Sequence, residues 1–183
     1  MADTVTTILS FLTLLGDILF VALILAYCFS HSFALKIRQF SNKIIHQHGL
    51  AFILLLSISS LLGSLFYSEV ALYQPCVLCW YQRIFMYPLA VLVLVSMGRK
   101  TKDVVHYVLP LAVIGALISA YNYIIQIQHL LRPFDPTAPC SLDGTSCAST
   151  YFLSYGYITM PMMALTAFLL IILISLVIKK GEK

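Results

Sequence analysis

Apolar residues in this chain come in long blocks, separated by short polar breaks. Five blocks are long enough to cross a hydrocarbon core of about 30 Å, which takes about 20 residues of helix. They run over approximately 5–28, 50–73, 80–98, 104–127 and 157–178. Backbone polar groups in lipid must pair within the chain, so each block predicts a helix. The predicted fold is all-α, a polytopic membrane four-helix bundle over 50–178. One additional N-terminal transmembrane helix and a basic segment fill 1–49, and 179–183 is a cytoplasmic tail. The first block has no positive charge ahead of it and is too long for a signal-peptide core, so it reads as an uncleaved helix.

The break at 29–49, "FSHSFALKIRQFSNKIIHQHG", places Phe33, Ile37, Phe40, Ile44 and Ile45 at near-helical spacing among basic residues. That pattern predicts an amphipathic interfacial helix. Its His31, His46 and His48 have no acidic or cysteine companions and read as a solvated or headgroup face, not a metal site. Pro88 and Pro110 lie inside the third and fourth blocks, where either can kink its helix. Pro161 falls in the first turns of the fifth, where proline is tolerated. Tyrosines gather at the outer ends of the blocks and mostly read as an aromatic belt.

Composition agrees with this pattern. Hydrophobic residues make up 61% of the 183 and charged residues only 10%, too few for the surface of a soluble domain. The basic residues set orientation. Lys36, Arg38, Lys43, Arg99, Lys100, Lys102, Lys179, Lys180 and Lys183 fall on one side, nine of the chain's eleven. That side is expected to be cytoplasmic, with the N-terminus outside and the C-terminus inside. The net charge of +4 then reflects topology and does not suggest nucleic acid.

Orientation places Cys76, Cys79, Cys140 and Cys147 in outer links, on the oxidising side. Cys28 falls at the inner end of the first helix and reads as a bystander. In "QPCVLCWYQR" a helix beginning just after Pro75 would align Cys76, Cys79, Trp80, Arg83 and Tyr87 on one stripe. Cys79 would then feel the positive helix end and a guanidinium one turn below, both of which favour thiolate. Arg83 at membrane depth needs a polar partner, and a lipid-soluble ligand with an acceptor oxygen would serve. A staple is the bland reading, but so small a loop restrains little chain entropy. Two cysteine pairs could also hold zinc, although the second pair is wider than usual. Haem attachment is excluded, because Trp80 stands where that motif needs histidine. Taken alone, Cys140 and Cys147 read as a disulfide closing over the Asp143-Gly144 turn. Asp17, Asn122 and Gln126 are further polar residues within the blocks. Asp17 reads either as part of a proton path or as a carboxyl bonded to a neighbouring helix.

The stretch "PCVLCWYQRIFMYP" (75–88) closely resembles the active segment of the DsbB/BdbC family of disulfide bond formation proteins, in its shorter BdbC-like branch. "PCSLDGTSC" (139–147) and "ITMPMMALTAF" (158–168) extend the resemblance over about 50–178. It implies a protein-dithiol:quinone oxidoreductase of the bacterial plasma (inner) membrane. Its partner would be an extracytoplasmic, DsbA-like thioredoxin-fold dithiol protein, and its cofactor ubiquinone or menaquinone. By position, Cys76 and Cys79 would be the quinone-coupled pair, with Cys79 engaging the ring and Arg83 beside its oxygen. Cys140–Cys147 would be the disulfide the partner attacks, at Cys140, and Cys147 would then exchange with Cys76. His129 matches a quinone-proximal histidine of some members. The chain departs from the family in residues 1–49 and in the close spacing of its second pair. Two alternatives stand beside this reading. One is a non-catalytic membrane scaffold with two structural disulfides, the other a vitamin K epoxide reductase-like oxidoreductase.

Overall fold

The computed structural model describes residues 2–28, 32–99, 101, 103–131 and 146–181. Five helices follow in chain order: α1 (Ala2–Cys28), α2 (Ser32–Leu65), α3 (Val77–Arg99), α4 (Val105–Leu131) and α5 (Met160–Gly181). All five are long and apolar enough to cross a membrane. The protein is an all-α, multi-pass membrane protein. Extended pairing among the described residues is limited to the isolated bridge Ser154–Ile158, just before α5. Pro161 then takes the second position of α5, where its missing N–H costs nothing.

The expected interfacial helix is helical, but it is not a separate element. It runs straight into the second span as the 34-residue α2, about 51 Å long at 1.5 Å per residue. Ile45, Gly49 and Ile53 are buried at four-residue spacing, one face carried across the glycine, and no proline interrupts it. Gly49, which would otherwise weaken the helix, lies under α5. A Cβ there would lie 2.8 Å from Ile178 Cδ1 and 3.3 Å from Ile174 Cγ2. Pro88 and Pro110 both sit inside continuous helices. The side chain of Cys28 and residue His31 lie outside the described residues, as does the side chain of His46, whereas His48 is exposed.

Helices α2 to α5 pack around one core of Ile53, Leu89, Val93, Val105, Val108, Phe168, Ile171 and Ile178. α5 is its most enclosed member, and α1 is the least buried of the five helices. α4 and α5 meet closely at Gly115, where a Cβ would lie 2.3 Å from Phe168 Cζ. α1 packs on the outside of α2 and α5. Asp17 is bonded to neighbouring elements, one of the two readings of it. Tyr157 donates to Oδ2 at 3.0 Å and Thr166 to Oδ1 at 2.6 Å. Burial, and then the Asp17 carboxyl, push the Tyr157 phenol up, so it remains a donor.

At its C-terminal end, α2 runs into a π-helical turn, Phe66–Val70. Leu72 then adopts a left-handed φ of 56°, uncommon for a residue with a Cβ. This lets the Tyr73 N–H return to the Tyr67 carbonyl at 2.9 Å and turns the chain toward α3.

Candidate functional site

α3 starts at Val77, as the sequence pattern requires, and Cys76 stands at its N-cap. The Cys76 carbonyl takes the first helical bond, from Trp80 N–H at 3.1 Å. Its sulfur accepts the Cys79 N–H at 3.4 Å, the place a serine or aspartate oxygen usually fills. Val77 and Leu78 N–H, the next free donors of the helix end, lie near enough to Cys147 to favour its thiolate. The start of α3 thus borders sulfur, and the positive helix end favours negative charge there.

Three thiols meet at this point. Cys76 Sγ and Cys79 Sγ lie 2.8 Å apart, and Cys147 lies near enough to Cys76 to perturb it. Asn122, from the middle of α4, reaches both sulfurs of the first pair, Nδ2 lying 3.9 Å from Cys76 and 3.7 Å from Cys79. The neighbouring Cys79 sulfur, and then burial, push the Cys76 thiol up, so Cys76 holds its proton and donates it to Cys79. Burial, assisted by Cys76, also pushes Cys147 up. All three are free thiols in this structure. Cys140 lies outside the described residues.

Cys147 is held in place by contacts distant in sequence. It sits in a tight turn closed by Ser149 N–H on the Ser146 carbonyl at 3.1 Å. Gln126 of α4 donates to the Ser149 carbonyl at 3.1 Å. Tyr151 donates to the Gln74 carbonyl at 2.9 Å, just before the first cysteine pair. Tyr151 also stacks on Tyr73, centroids 4.6 Å apart, and Tyr73 on Tyr67. This ladder locks the link between α2 and α3 against the segment that follows Cys147. Read along the sequence, these tyrosines formed an aromatic belt; three of them here are a joint.

Below the thiols, toward the bilayer interior, lies a cavity of about 210 Å³. Cys76, Cys79, Gln82, Arg83, Tyr87 and Gln126 line its polar side, and Leu56, Met163, Ala167 and Phe168 its apolar side. Arg83 is buried. It donates to the Ser64 carbonyl of α2 at 3.0 Å and lies 5.1 Å from the centre of the Trp80 ring. Gln82 Nε2, Tyr87 Oη and Gln126 Oε1 are buried without a hydrogen-bond partner. A buried donor left unpaired costs about 1–3 kcal/mol, so the cavity suits a compact, mostly apolar molecule with acceptor oxygens. A quinone head group fits that description.

The structure therefore brings together Cys76, Cys79, Cys147 and Arg83. His129, half-buried in the last turn of α4, is not among the cavity-lining residues. Trp80 departs from the predicted stripe; the residue is 53% exposed, and its ring covers Arg83 from outside. Sequence reasoning gave no role to Asn122 or Gln126. A signal for both existed, since Ser119, Asn122 and Gln126 form a polar stripe at helical spacing on an apolar helix.

Comparison with known proteins agrees with this geometry. The family described as "Disulfide bond formation protein DsbB" matches residues 46–178. "Disulfide bond formation protein C" of Bacillus subtilis (strain 168) is 43% identical over 124 residues, 68% of this chain and 86% of that protein. "SPbeta prophage-derived disulfide bond formation protein B" of the same organism is 40% identical over 137 residues, 73% of this chain and 89% of that protein. A "Probable disulfide formation protein" of Metapseudomonas resinovorans is 35% identical over 126 residues, covering 69% and 85%. No solved structure matches.

Proposed function

The chain belongs to the DsbB family of disulfide bond formation proteins, and from that membership we propose that it reoxidises an extracytoplasmic, DsbA-like dithiol partner at the expense of a membrane quinone. The observation that carries this reading is the placement of Cys147 near Cys76, directly above a cavity that Arg83 lines. A relay needs a thiol of the outer pair beside the inner pair, whereas two structural disulfides would gain nothing from that proximity.

The partner's thiolate attacks the Cys140–Cys147 disulfide at Cys140, and Cys147 leaves. The partner's second thiol then resolves the mixed disulfide, which leaves the partner oxidised and Cys140 and Cys147 reduced. Cys147 next attacks Cys76 of the Cys76–Cys79 disulfide, and Cys79 leaves as thiolate. Cys140 closes on Cys147, restoring the outer disulfide with both electrons now on the inner pair. Asn122 Nδ2 and the α3 helix end lie where negative charge on the sulfurs develops. Cys76, once displaced by Cys140, takes up the proton that the Cys140 thiol gives up and hydrogen-bonds the Cys79 sulfur. A quinone bound in the cavity supplies the two-electron, two-proton sink that resets the inner pair. Arg83, Gln82 and Tyr87 would hold its oxygens, since they are donors lining that space and those of Gln82 and Tyr87 have no other partner. Support for His129 is positional only.

The reading places the cysteine face outside a bacterial plasma membrane and the basic face in the cytoplasm, consistent with nine of eleven basic residues on one side. The test uses purified protein, a reduced thioredoxin-fold dithiol protein and decylubiquinone. Wild type oxidises the partner as the quinone is reduced, and Cys79→Ala abolishes both. Partner oxidation at the wild-type rate by Cys79→Ala would reject the assignment.

A further inference from the structure

The family match begins at residue 46, so α1 lies outside it. One face of α1 carries Leu9, Leu12, Thr13 and Gly16, at i, i+3, i+4 and i+7, a single helical stripe. All four line the cavity beneath the thiols. Elsewhere α1 shows Phe11, Leu15, Ile18 and Leu19, all exposed and apolar, as a lipid-facing surface requires. The stripe is held on both flanks by close approach at a glycine. A Cβ on Gly16 would lie 3.2 Å from Thr166 Cγ2 and 3.3 Å from Leu170 Cδ1 of α5. A Cβ on Gly63 of α2 would lie 3.4 Å from Leu9 Cδ1.

Polar ties fix the register of this wedge. Asp17 takes hydrogen bonds from Thr166 and Tyr157, and Tyr67 donates to Thr6 Oγ1 at 3.3 Å. A carboxyl at membrane depth is expensive, and these donors compensate it only in one position of α1. Thr166 also lines the cavity, so the residue that anchors α1 borders the space α1 encloses. Thr13 gives its hydroxyl to the Leu9 carbonyl at 2.8 Å, which satisfies the oxygen within α1. Leu12 lines the cavity yet is 55% exposed, which puts it at the mouth, where lining meets lipid.

We infer that α1 is the lipid-side wall of the quinone head-group site, and that Leu12 and Thr13 limit the size of ring the cavity admits. The inference rests on the quinone reading above and adds a specificity-determining surface to it.

Equilibrium binding tests it without turnover. Trp80 is the chain's single tryptophan and packs on Arg83, so its emission reports on this site. Purified full-length protein in detergent is titrated with menadione, a two-ring quinone, with no dithiol partner present. Wild type should show saturable quenching. Thr13→Phe, which adds bulk on the cavity side, should raise the menadione Kd about tenfold. Leu15→Phe, which adds bulk on the lipid side, should stay within about twofold. If Thr13→Phe does not accumulate in the membrane, Leu12→Phe carries the same expectation. Wild-type affinity in the cavity-side variant, or equal weakening by Leu15→Phe, overturns the role of α1. Absence of saturable quenching in wild type overturns the quinone reading itself, a separate result.

Discussion

With the thiol-bearing half of the bundle taken as the outer one, the inner and outer halves are built on opposite rules. In the inner half Leu89, Val93, Val105, Val108, Ile171 and Ile178 are almost fully buried against one another, and glycines let backbones approach. The outer half holds three thiols, a buried guanidinium, a cavity, and buried polar atoms on Gln82, Tyr87, Asn122 and Gln126 that lack partners. A chain selected for packing alone would have filled that space and paired those atoms. Natural sequences break local rules at functional sites and compensate elsewhere, and here the compensation is the tight inner half. Stability should therefore respond to inner substitutions and chemistry to outer ones.

The largest expected effect is chemical. Cys76→Ser keeps an N-cap oxygen on α3, and serine is a good cap, but it removes the sulfur between the two pairs. Partner oxidation should fall by about a thousandfold or more, with the thermal midpoint in detergent nearly unchanged. A large loss of stability would mean that the sulfur cluster carries the outer half and would erase the contrast. Gly49→Val should do the reverse. The new side chain meets Ile178 and Ile174 of α5, which do not line the cavity, at a cost of about 3 kcal/mol. Thermal unfolding should report that loss, while the folded fraction retains its turnover. Arg83→Gln is smaller. It removes a buried charge held by one carbonyl and one ring face, so stability should hold or rise. Loss of a charged hydrogen-bond donor, worth about 2 kcal/mol, should weaken menadione binding about thirtyfold by Trp80 quenching.

How far the sequence revealed each half follows from the range of the interactions. The spans were legible because bilayer thickness dictates their length: a third helix expected at 80–98 is found at Val77–Arg99. The thiols and Arg83 were legible because spacings of three and four act within one helix. The continuity of α2 was missed because a glycine after a polar run reads as a break until its neighbour, Ile178, is seen. The stack of Tyr67, Tyr73 and Tyr151 joins segments distant along the chain, as do Asn122 on the sulfurs and Thr166 on Asp17. No local period announces such pairs. What periodicity does show is that polar residues recur on one face of α4, and a face of that kind inside a membrane bundle must meet something polar.

The smallest expected effect bears on whether the outer half is closed in solution. Cys147 has its pKa raised first by burial and then by the proximity of Cys76. A thiol so shifted is less ionised than a free cysteine at every pH below its own pKa. Alkylation by iodoacetamide needs the thiolate, so at pH 8 the reduced, folded protein should modify Cys147 about tenfold more slowly than the unfolded chain. The gap should narrow as pH rises beyond the ordinary thiol range. Peptide mass spectrometry reads Cys147 apart from Cys140. Because burial is the larger cause, Cys76→Ser should relieve only part of the retardation. Full relief would assign the shift to the neighbouring sulfur, and a Cys147 that alkylates like the unfolded chain would mean that the Ser146–Ser149 turn does not stay docked. In that case the contact between the two dithiols would form only when the partner binds, and the relay would be gated at the turn rather than standing ready in the resting protein.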